Sequence, residues 1–192
     1  MLNTVRYDGP TDVPLLIAHG LFGSARNWGV IAKRLSDTQQ VISVDMRNHG
    51  ASFWDDSHAY QDLADDLADV ISAHGGTADV LGHSMGGKAA MMLALAHPNH
   101  VNRLIIADIA PVAYSHSQAH LIAAMRAVDL TRVEKRSDAN AQLASHVDDA
   151  TTRAFLLQSL DVTAKKWRLN LEVLDRDMAD ITGWPDPSGQ AT

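Results

Sequence analysis

Along the first half of the chain, short apolar runs alternate with longer stretches in which apolar residues recur at helical spacing. The runs at 13–18, 41–45 and 101–107 are mostly apolar and have the length of strands that are buried on both faces. At 59–74, leucine, valine and isoleucine recur every three or four residues, which predicts an amphipathic helix whose acidic residues, Asp66 among them, face solvent. This alternation of strands and helices predicts a parallel sheet with right-handed crossovers.

The stretch 77–98 carries the most specific pattern in the chain. A strand-length apolar run at 78–81 leads into Gly82-His83-Ser84-Met85-Gly86, which has the form G-x-S-x-G, and helix-forming residues follow at 88–96. A serine at such a turn is held in a strained backbone conformation, and the glycines let strand and helix approach closely. We therefore predict that Ser84 is a nucleophile. A Gly-rich turn of this kind can also hold a phosphate, which is the alternative at this point.

Each predicted strand ends in polar or Gly-rich sequence. His19-Gly20 follows the first strand, Asp45 ends the second, Ser84 follows the third and Asp108 follows the fourth. In open parallel sheets, ligands bind beyond the carboxyl ends of the strands. We therefore expect these four positions to share one rim of the sheet and to border a site.

The second half of the chain is predicted to be mainly helical. An amphipathic pattern covers 117–130, apolar residues at helical spacing cover 171–181, and a short extended piece is expected at 165–171. Ser137 and Asp148 are expected to cap two further helices. A block of helices that follows the sheet-forming half predicts a lid over the rim.

These patterns divide the chain into a core at 1–111, a helical lid at 112–184 and a return loop at 185–192. Met125 and Trp167 are candidates for the lid residues that shape a binding pocket.

Composition and charge narrow the classes of partner and cofactor. The net charge of −7 disfavours nucleic acid, and the absence of cysteine excludes disulfides and thiolate chemistry. No apolar run has the length of a signal-peptide core or a membrane span, so the expected location is cytoplasmic. His116 and His120 are four residues apart but lack an accompanying carboxylate, so a zinc site is disfavoured. We expect no metal and no cofactor.

Four motifs together resemble the α/β-hydrolase superfamily. They are His-Gly-Leu-Phe-Gly at 19–23, Asp-Met-Arg-Asn-His-Gly-Ala-Ser at 45–52, Gly-His-Ser-Met-Gly-Gly at 82–87 and Asp-Ile-Ala-Pro at 108–111. The chain is most similar to the YbfF-type esterase branch, which is itself similar to abhydrolase-domain 11 proteins. This resemblance implies an α/β-hydrolase core with a helical lid. It also implies a serine esterase or thioesterase that acts on short- to medium-chain acyl esters or acyl-CoA thioesters without a cofactor.

The resemblance also implies roles for individual residues. Ser84 is the nucleophile, and the backbone N–H groups of Met85 and Leu21 form the oxyanion hole, with Phe22 a weaker candidate than Leu21. In this branch the acid of the triad follows the strand after the nucleophile helix, where Asp108 stands. The alternative for Asp108 is a structural role in capping the turn before Pro111, because Asp favours such turns.

The general base implied by the resemblance is a histidine after the last strand, but the sequence has no histidine after His146. His83 adjoins Ser84, yet adjacent residues at a strand end are expected to point to opposite sides. His19 and His49 belong to rim loops, where stabilising a turn is the expected role. The strands and helix expected after Ser188 are absent as well, so the chain is interpreted as truncated before the catalytic histidine.

Three functional alternatives therefore stay open. The chain is an incomplete copy of an active serine hydrolase, or a non-catalytic hydrolase-fold protein that binds a ligand or partner. A cofactor-free haloperoxidase or C–C hydrolase using the same triad is the third. An unpaired sheet edge left by missing strands would favour a homo-oligomer.

Overall fold

The structure, a computed structural model, describes residues 1–185 and is built on a five-stranded sheet. The strands are β1 Asn3–Tyr7, β2 Leu15–Ala18, β3 Val41–Asp45, β4 Ala78–His83 and β5 Val101–Ala107. Their order in the sheet is β1-β3-β2-β4-β5. β2 to β5 are parallel, as the sequence predicts, and β1, which no apolar run predicts, pairs antiparallel with β3 at one edge.

Helices cover both faces of this sheet. The helices of this half are α1 Gly29–Leu35, α2 Tyr60–Ser72 and α3 Met85–Ala96. Alternate residues of β2 enter different cores: Leu16 packs towards α2 and α3, whereas Leu15 and Ile17 pack towards α1. β2 is therefore buried on both faces, which explains its continuous apolar sequence.

One residue of α2 departs from the predicted pattern. Asp66 is buried, because Arg47 after β3 donates to its two carboxylate oxygens from Nε at 2.6 Å and from Nη2 at 3.1 Å. The expectation that Asp66 faces solvent was wrong, since helical periodicity does not reveal a buried cation on a neighbouring loop. Arg47 also lies within 3.6 Å of carboxylate oxygens of Asp55 and Asp62.

β5 forms the other edge of the sheet within residues 1–185 and is far more exposed than its neighbours. Leu104 and Ile105 are 38% and 47% exposed, whereas the apolar residues of β2 are all buried. The expectation that β5 is buried was therefore wrong for the described residues. Within them, β5 has a strand neighbour on one side only, whereas β2 lies between two strands. An oligomer formed through this edge stays a prediction.

The helices after β5 pack onto the sheet-forming half. Leu121, Met125, Leu174 and Ile181 belong to the same apolar cluster as Leu16 and the buried faces of α2 and α3. The division at 111 and 184 stays a prediction, and the predicted return loop lies outside the described residues beyond Pro185. This half contains α4 Ala119–Ala127, α5 Arg136–Leu143, α6 Ala150–Leu156, α7 Leu171–Arg176, α8 Met178–Thr182 and the hairpin strands β6 Leu160–Asp161 and β7 Lys166–Trp167.

Two predicted helix caps lie one and two residues away from the observed ones. Asp149 rather than Asp148 caps α6 by accepting from the Thr152 N–H at 2.7 Å. At α5 the N-cap is Lys135 rather than Ser137, and Asp138 in the first turn accepts from the Lys135 N–H at 3.0 Å. Both corrections follow from helix boundaries, which sequence patterns locate only to within a few residues. Among the described helices, none is both long and apolar enough to cross a bilayer.

Candidate active site

Ser84 lies at a sharp turn between β4 and α3. Its φ and ψ angles are 51° and −120°, in a region that costs a non-glycine residue of order 1–3 kcal/mol. A Cβ on Gly82 would overlap the backbone of Gly86, and a Cβ on Gly86 would overlap the carbonyl oxygens of Ala18 and His19. The two glycines of the pentapeptide are therefore required, because the backbones of β4, of the turn and of the end of β2 contact one another directly.

Two backbone N–H groups beside Ser84 have no hydrogen-bond partner among residues 1–185 and can bind a ligand. Met85 is the first residue of α3, so its N–H has no partner within the helix. The N–H of Leu21 donates no hydrogen bond to any residue in 1–185. By contrast, the Phe22 N–H donates to His49 Nε2 at 3.2 Å, which leaves Leu21 as the better candidate of the two.

The turn opens into a cavity of about 510 Å³ between the carboxyl ends of the strands and the helices that follow β5. Its wall is mainly apolar and comes from both halves of the chain. Met125 and Trp167 are not among the described residues that line it. Met125 is fully buried, and the Trp167 Nε1–H donates to the Met125 carbonyl at 3.0 Å. Those two expectations about the pocket were wrong. The apolar lining includes Leu21, Phe22, Trp28, Ile31, Leu121, Phe155 and Ile181.

One wall of this cavity is held by a buried lysine that the sequence analysis did not single out. Lys88 Nζ donates to the carbonyls of Thr182 and Gly183 at the end of α8 and lies 5.0 Å from the centre of the Tyr114 ring. Tyr60 Oη donates to the neighbouring Ile181 carbonyl at 2.7 Å. Burial lowers the pKa of Lys88 and raises that of Tyr60. These contacts hold the end of α8 against α2 and α3 beside Ser84.

Asp108 follows β5 with φ 57°, and its side chain is 90% exposed. Its carboxylate accepts no hydrogen bond within residues 1–185, so the described residues give the turn-capping alternative no support. The Ser84 hydroxyl likewise has no hydrogen-bond partner in this range. The structure thus places Ser84 and Asp108 at adjacent strand ends without a described group that links them.

His83 does not point away from Ser84 as expected. It lines the same cavity, and its Nε2 lies 3.9 Å from Asp108 Oδ2, beyond hydrogen-bond distance. The alternation rule fails here because it assumes two extended residues, and the left-handed backbone at Ser84 breaks the extended course of β4.

The remaining rim positions serve to hold the loops. Asp45 accepts from the N–H groups of Ala25 at 2.7 Å and Ala51 at 2.9 Å, which ties two loops together. Burial lowers the pKa of His19 to about 4 and that of His49 to about 3. Both histidines are therefore neutral at physiological pH, in agreement with a role in the loops.

His116 and His120 are the two histidines that the sequence places four residues apart. His116 precedes α4 and His120 lies within it, so the two do not share a helical face. Residues 1–185 contain no group of three or more His, Cys, Asp or Glu side chains that could hold a metal ion.

Comparisons with known proteins agree with this geometry. The model of the α/β hydrolase fold family matches residues 13–183. The chain belongs to the α/β-hydrolase family. It is 39% identical to esterase YbfF of Escherichia coli over 174 residues, and 38% identical to the sn-1-specific diacylglycerol lipase ABHD11 of Danio rerio over 192 residues. Among solved structures, a marine microorganism esterase has a TM-score of 0.89 at 34% identity and covers 96% of this chain.

This hydrolase chain is shorter than the proteins it matches. The alignments cover 67% of the Escherichia coli esterase, 61% of the Danio rerio lipase and 74% of the marine esterase. The family and the resemblance to the YbfF branch are thus confirmed, and so is the fold class.

Proposed function

We propose that the chain belongs to a serine hydrolase that cleaves carboxylic esters through an acyl-enzyme intermediate. The observation that carries this proposal is the combination at the cavity mouth: a strained Ser84 beside the free N–H groups of Leu21 and Met85. The esterase and lipase names of its relatives support the same class of substrate.

The geometry suits the first step of acyl transfer. Ser84 Oγ would attack the ester carbonyl carbon, and the oxygen that becomes negative would accept hydrogen bonds from the two N–H groups. Removing one such donor typically lowers turnover by about 10²–10³-fold. The apolar wall would hold the acyl chain, and we propose short to medium chains, with acyl thioesters as a second class of substrate.

Proton transfer is the step that residues 1–185 support least. A serine hydroxyl needs a base within hydrogen-bond reach to become a nucleophile, and none of the described side chains meets that condition. We propose a histidine supplied from outside the described residues, as the resemblance implies, with Asp108 as its partner. The high exposure of Asp108 leaves its carboxylate open to such a contact.

The same observation favours a second candidate function. A hydrolase-fold chain whose serine lacks a base would retain the cavity and could bind an apolar ligand without turning it over. The distinction from an active esterase depends on the reactivity of Ser84 alone.

Intact mass before and after exposure to a fluorophosphonate probe tests both candidates. A single adduct on Ser84 supports the esterase and shows that a base is available. A parent mass of 20.8 kDa without an adduct contradicts esterase activity of this chain and favours ligand binding. Ser145→Ala, at an exposed serine in the lid, is the matched control and should leave the adduct unchanged.

A further inference from the structure

Behind the cavity, three imidazoles form a row from the loop after β2 to the start of α3. The ring centroids of His19 and His49 lie 5.1 Å apart, and those of His49 and His58 lie 5.6 Å apart. All three rings are at most 1% exposed, and each ring nitrogen has a polar partner. The position of each ring proton therefore follows from the identity of the partners.

His49 accepts a hydrogen bond from the loop after β2, which carries Leu21 and Phe22. Its Nδ1 lies 2.9 Å from the Arg47 carbonyl oxygen, which can only accept, so Nδ1 carries the proton. Nε2 of the neutral ring is then the acceptor for the Phe22 N–H at 3.2 Å. This bond holds Phe22, a buried non-glycine residue, at φ 64°. The Phe22 N–H belongs to the Leu21–Phe22 peptide, so the bond orients that peptide directly. The adjoining Gly20–Leu21 peptide, which carries the Leu21 N–H, shares the Leu21 Cα with it and is held through that atom.

His58 holds the other side of the site. Asn48 Oδ1 accepts from the Asp55 N–H at 2.9 Å, so the Asn48 Nδ2 group faces His58 Nδ1 at 3.3 Å as a donor. Nδ1 of His58 is therefore the acceptor, and Nε2 carries the proton. That Nε2–H lies 3.3 Å from the sulfur of Met85, the residue whose N–H is the second candidate donor.

We propose that His49 and His58 are positioning residues for the oxyanion hole. His49 fixes the Leu21–Phe22 backbone, His58 fixes Met85, and the contact between the two rings sets the two N–H donors relative to each other. This inference rests on the proposed function, because an oxyanion hole matters only if Ser84 attacks an acyl group. Neither ring touches the reacting atoms, so neither is a catalytic residue.

Matched substitutions at His49 separate positioning from simple packing. His49→Asn keeps an amide N–H near Nδ1 for the Arg47 carbonyl but removes the acceptor for Phe22. His49→Gln does the reverse, since its amide oxygen reaches the position of Nε2. If the His49 ring only fills space, the two substitutions should have about the same effect. If it acts as the acceptor for the Phe22 N–H, only His49→Asn should have an effect.

Amide hydrogen exchange and two-dimensional NMR give a readout that needs no turnover. In His49→Asn, exchange at the Phe22 N–H should rise at least about tenfold and the Leu21 and Met85 amide signals should shift, because the bond that orders them is lost. In His49→Gln, exchange should stay within about threefold of the wild type. Unchanged Phe22 exchange and Leu21 signals in His49→Asn would overturn the proposal. If His49→Asn does not fold, protection kept in His49→Gln supports the acceptor role, and protection lost overturns it.

His58 is tested through Met85 and through its coupling to His49. His58→Asn keeps an acceptor for Asn48 and removes the N–H that faces the sulfur, so the Met85 methyl and amide signals should shift. In the double variant His49→Asn/His58→Asn, the shift of the Met85 amide signal should differ from the sum of the shifts in the two single variants, because residues in contact are energetically coupled. Strict additivity would overturn the joint positioning of the two donors.

Hydrolysis of 4-nitrophenyl butyrate adds the functional arm. His49→Asn should lower kcat about 10–100-fold with KM within about threefold, while His49→Gln stays within about fivefold in kcat. A wild-type kcat in His49→Asn would overturn the proposal. If the wild type itself shows no hydrolysis and no fluorophosphonate adduct, the proposed function fails, and the amide measurements still decide whether the histidines position the two N–H groups.

Discussion

The two sides of Ser84 differ in how completely the described residues build them. On the oxyanion side, Leu21 and Met85 are backed by buried histidines whose nitrogens all have partners. On the acid side, Asp108 is 90% exposed, and β5 beneath it presents Leu104 and Ile105 to solvent. Within residues 1–185, the side of Ser84 that faces Leu21 and Met85 is thus buried and hydrogen-bonded, whereas the side that faces Asp108 is open.

Replacing the nucleophile should have the largest effect. Ser84→Ala should abolish ester hydrolysis, a loss of up to about 10⁶-fold in turnover by analogy with serine proteases, because no other described hydroxyl lies at the turn. The measurement is the initial rate with 4-nitrophenyl butyrate, together with loss of the fluorophosphonate adduct. Hydrolysis at the wild-type rate would show that the nucleophile lies elsewhere.

Asp108→Asn should lower turnover by about 10²–10⁴-fold, the range expected when the partner of a catalytic histidine loses its charge. It should change the free energy of unfolding by less than about 0.5 kcal/mol, because the side chain is exposed and makes no described hydrogen bond. Steady-state kinetics and urea unfolding check the two halves. An unaffected rate would place the acid at another residue.

Acid should lower the free energy of unfolding because three buried histidines near Leu21 and Met85 are neutral in the folded protein. Burial lowers the pKa of His58 to about 3, as it lowers those of His19 and His49 to about 4 and about 3. Their unfolded values are near 6.5, so the unfolded chain binds more protons below that pH. Stability is therefore fully present above pH 6.5 and falls towards pH 4, by at most about 4 kcal/mol per pH unit for three protons.

Urea unfolding between pH 7 and 4.5 measures this slope. His58→Gln should reduce it by about 1.4 kcal/mol per pH unit, because one buried imidazole is removed. His120→Gln, at an exposed position, is the control and should leave the slope unchanged. A slope that is the same in wild type and His58→Gln would contradict the buried neutral ring.

The smallest expected effect concerns the close backbone contact at the turn. Gly86→Ala should destabilise the protein by about 1–3 kcal/mol, because the added Cβ meets the carbonyl oxygens of Ala18 and His19. Gly29→Ala is the matched control: Gly29 starts α1, and its added Cβ would meet only the Tyr7 hydroxyl at 3.4 Å. Equal midpoints of thermal unfolding for the two variants would argue against the close approach.

Much of the fold could be predicted because its parallel strands are short, mostly apolar runs. The bounds predicted for 41–45 and 101–107 match the buried β3 and the more exposed β5, and the G-x-S-x-G turn lies between a strand and a helix as expected. β1 was missed because an edge strand has one row of partners and needs no continuous apolar run.

The sequence by itself determined the parallel core, the turn at Ser84 and the family, since each depends on local spacing or on residues that must be small. Only the tertiary structure decided which N–H groups lack a partner within residues 1–185 and which side of Ser84 is more buried. Those features depend on contacts between distant segments, such as His49 with Phe22 and Lys88 with the end of α8. Local patterns carry no record of such contacts, because the partner of a buried polar group is chosen by packing rather than by its neighbours in the chain.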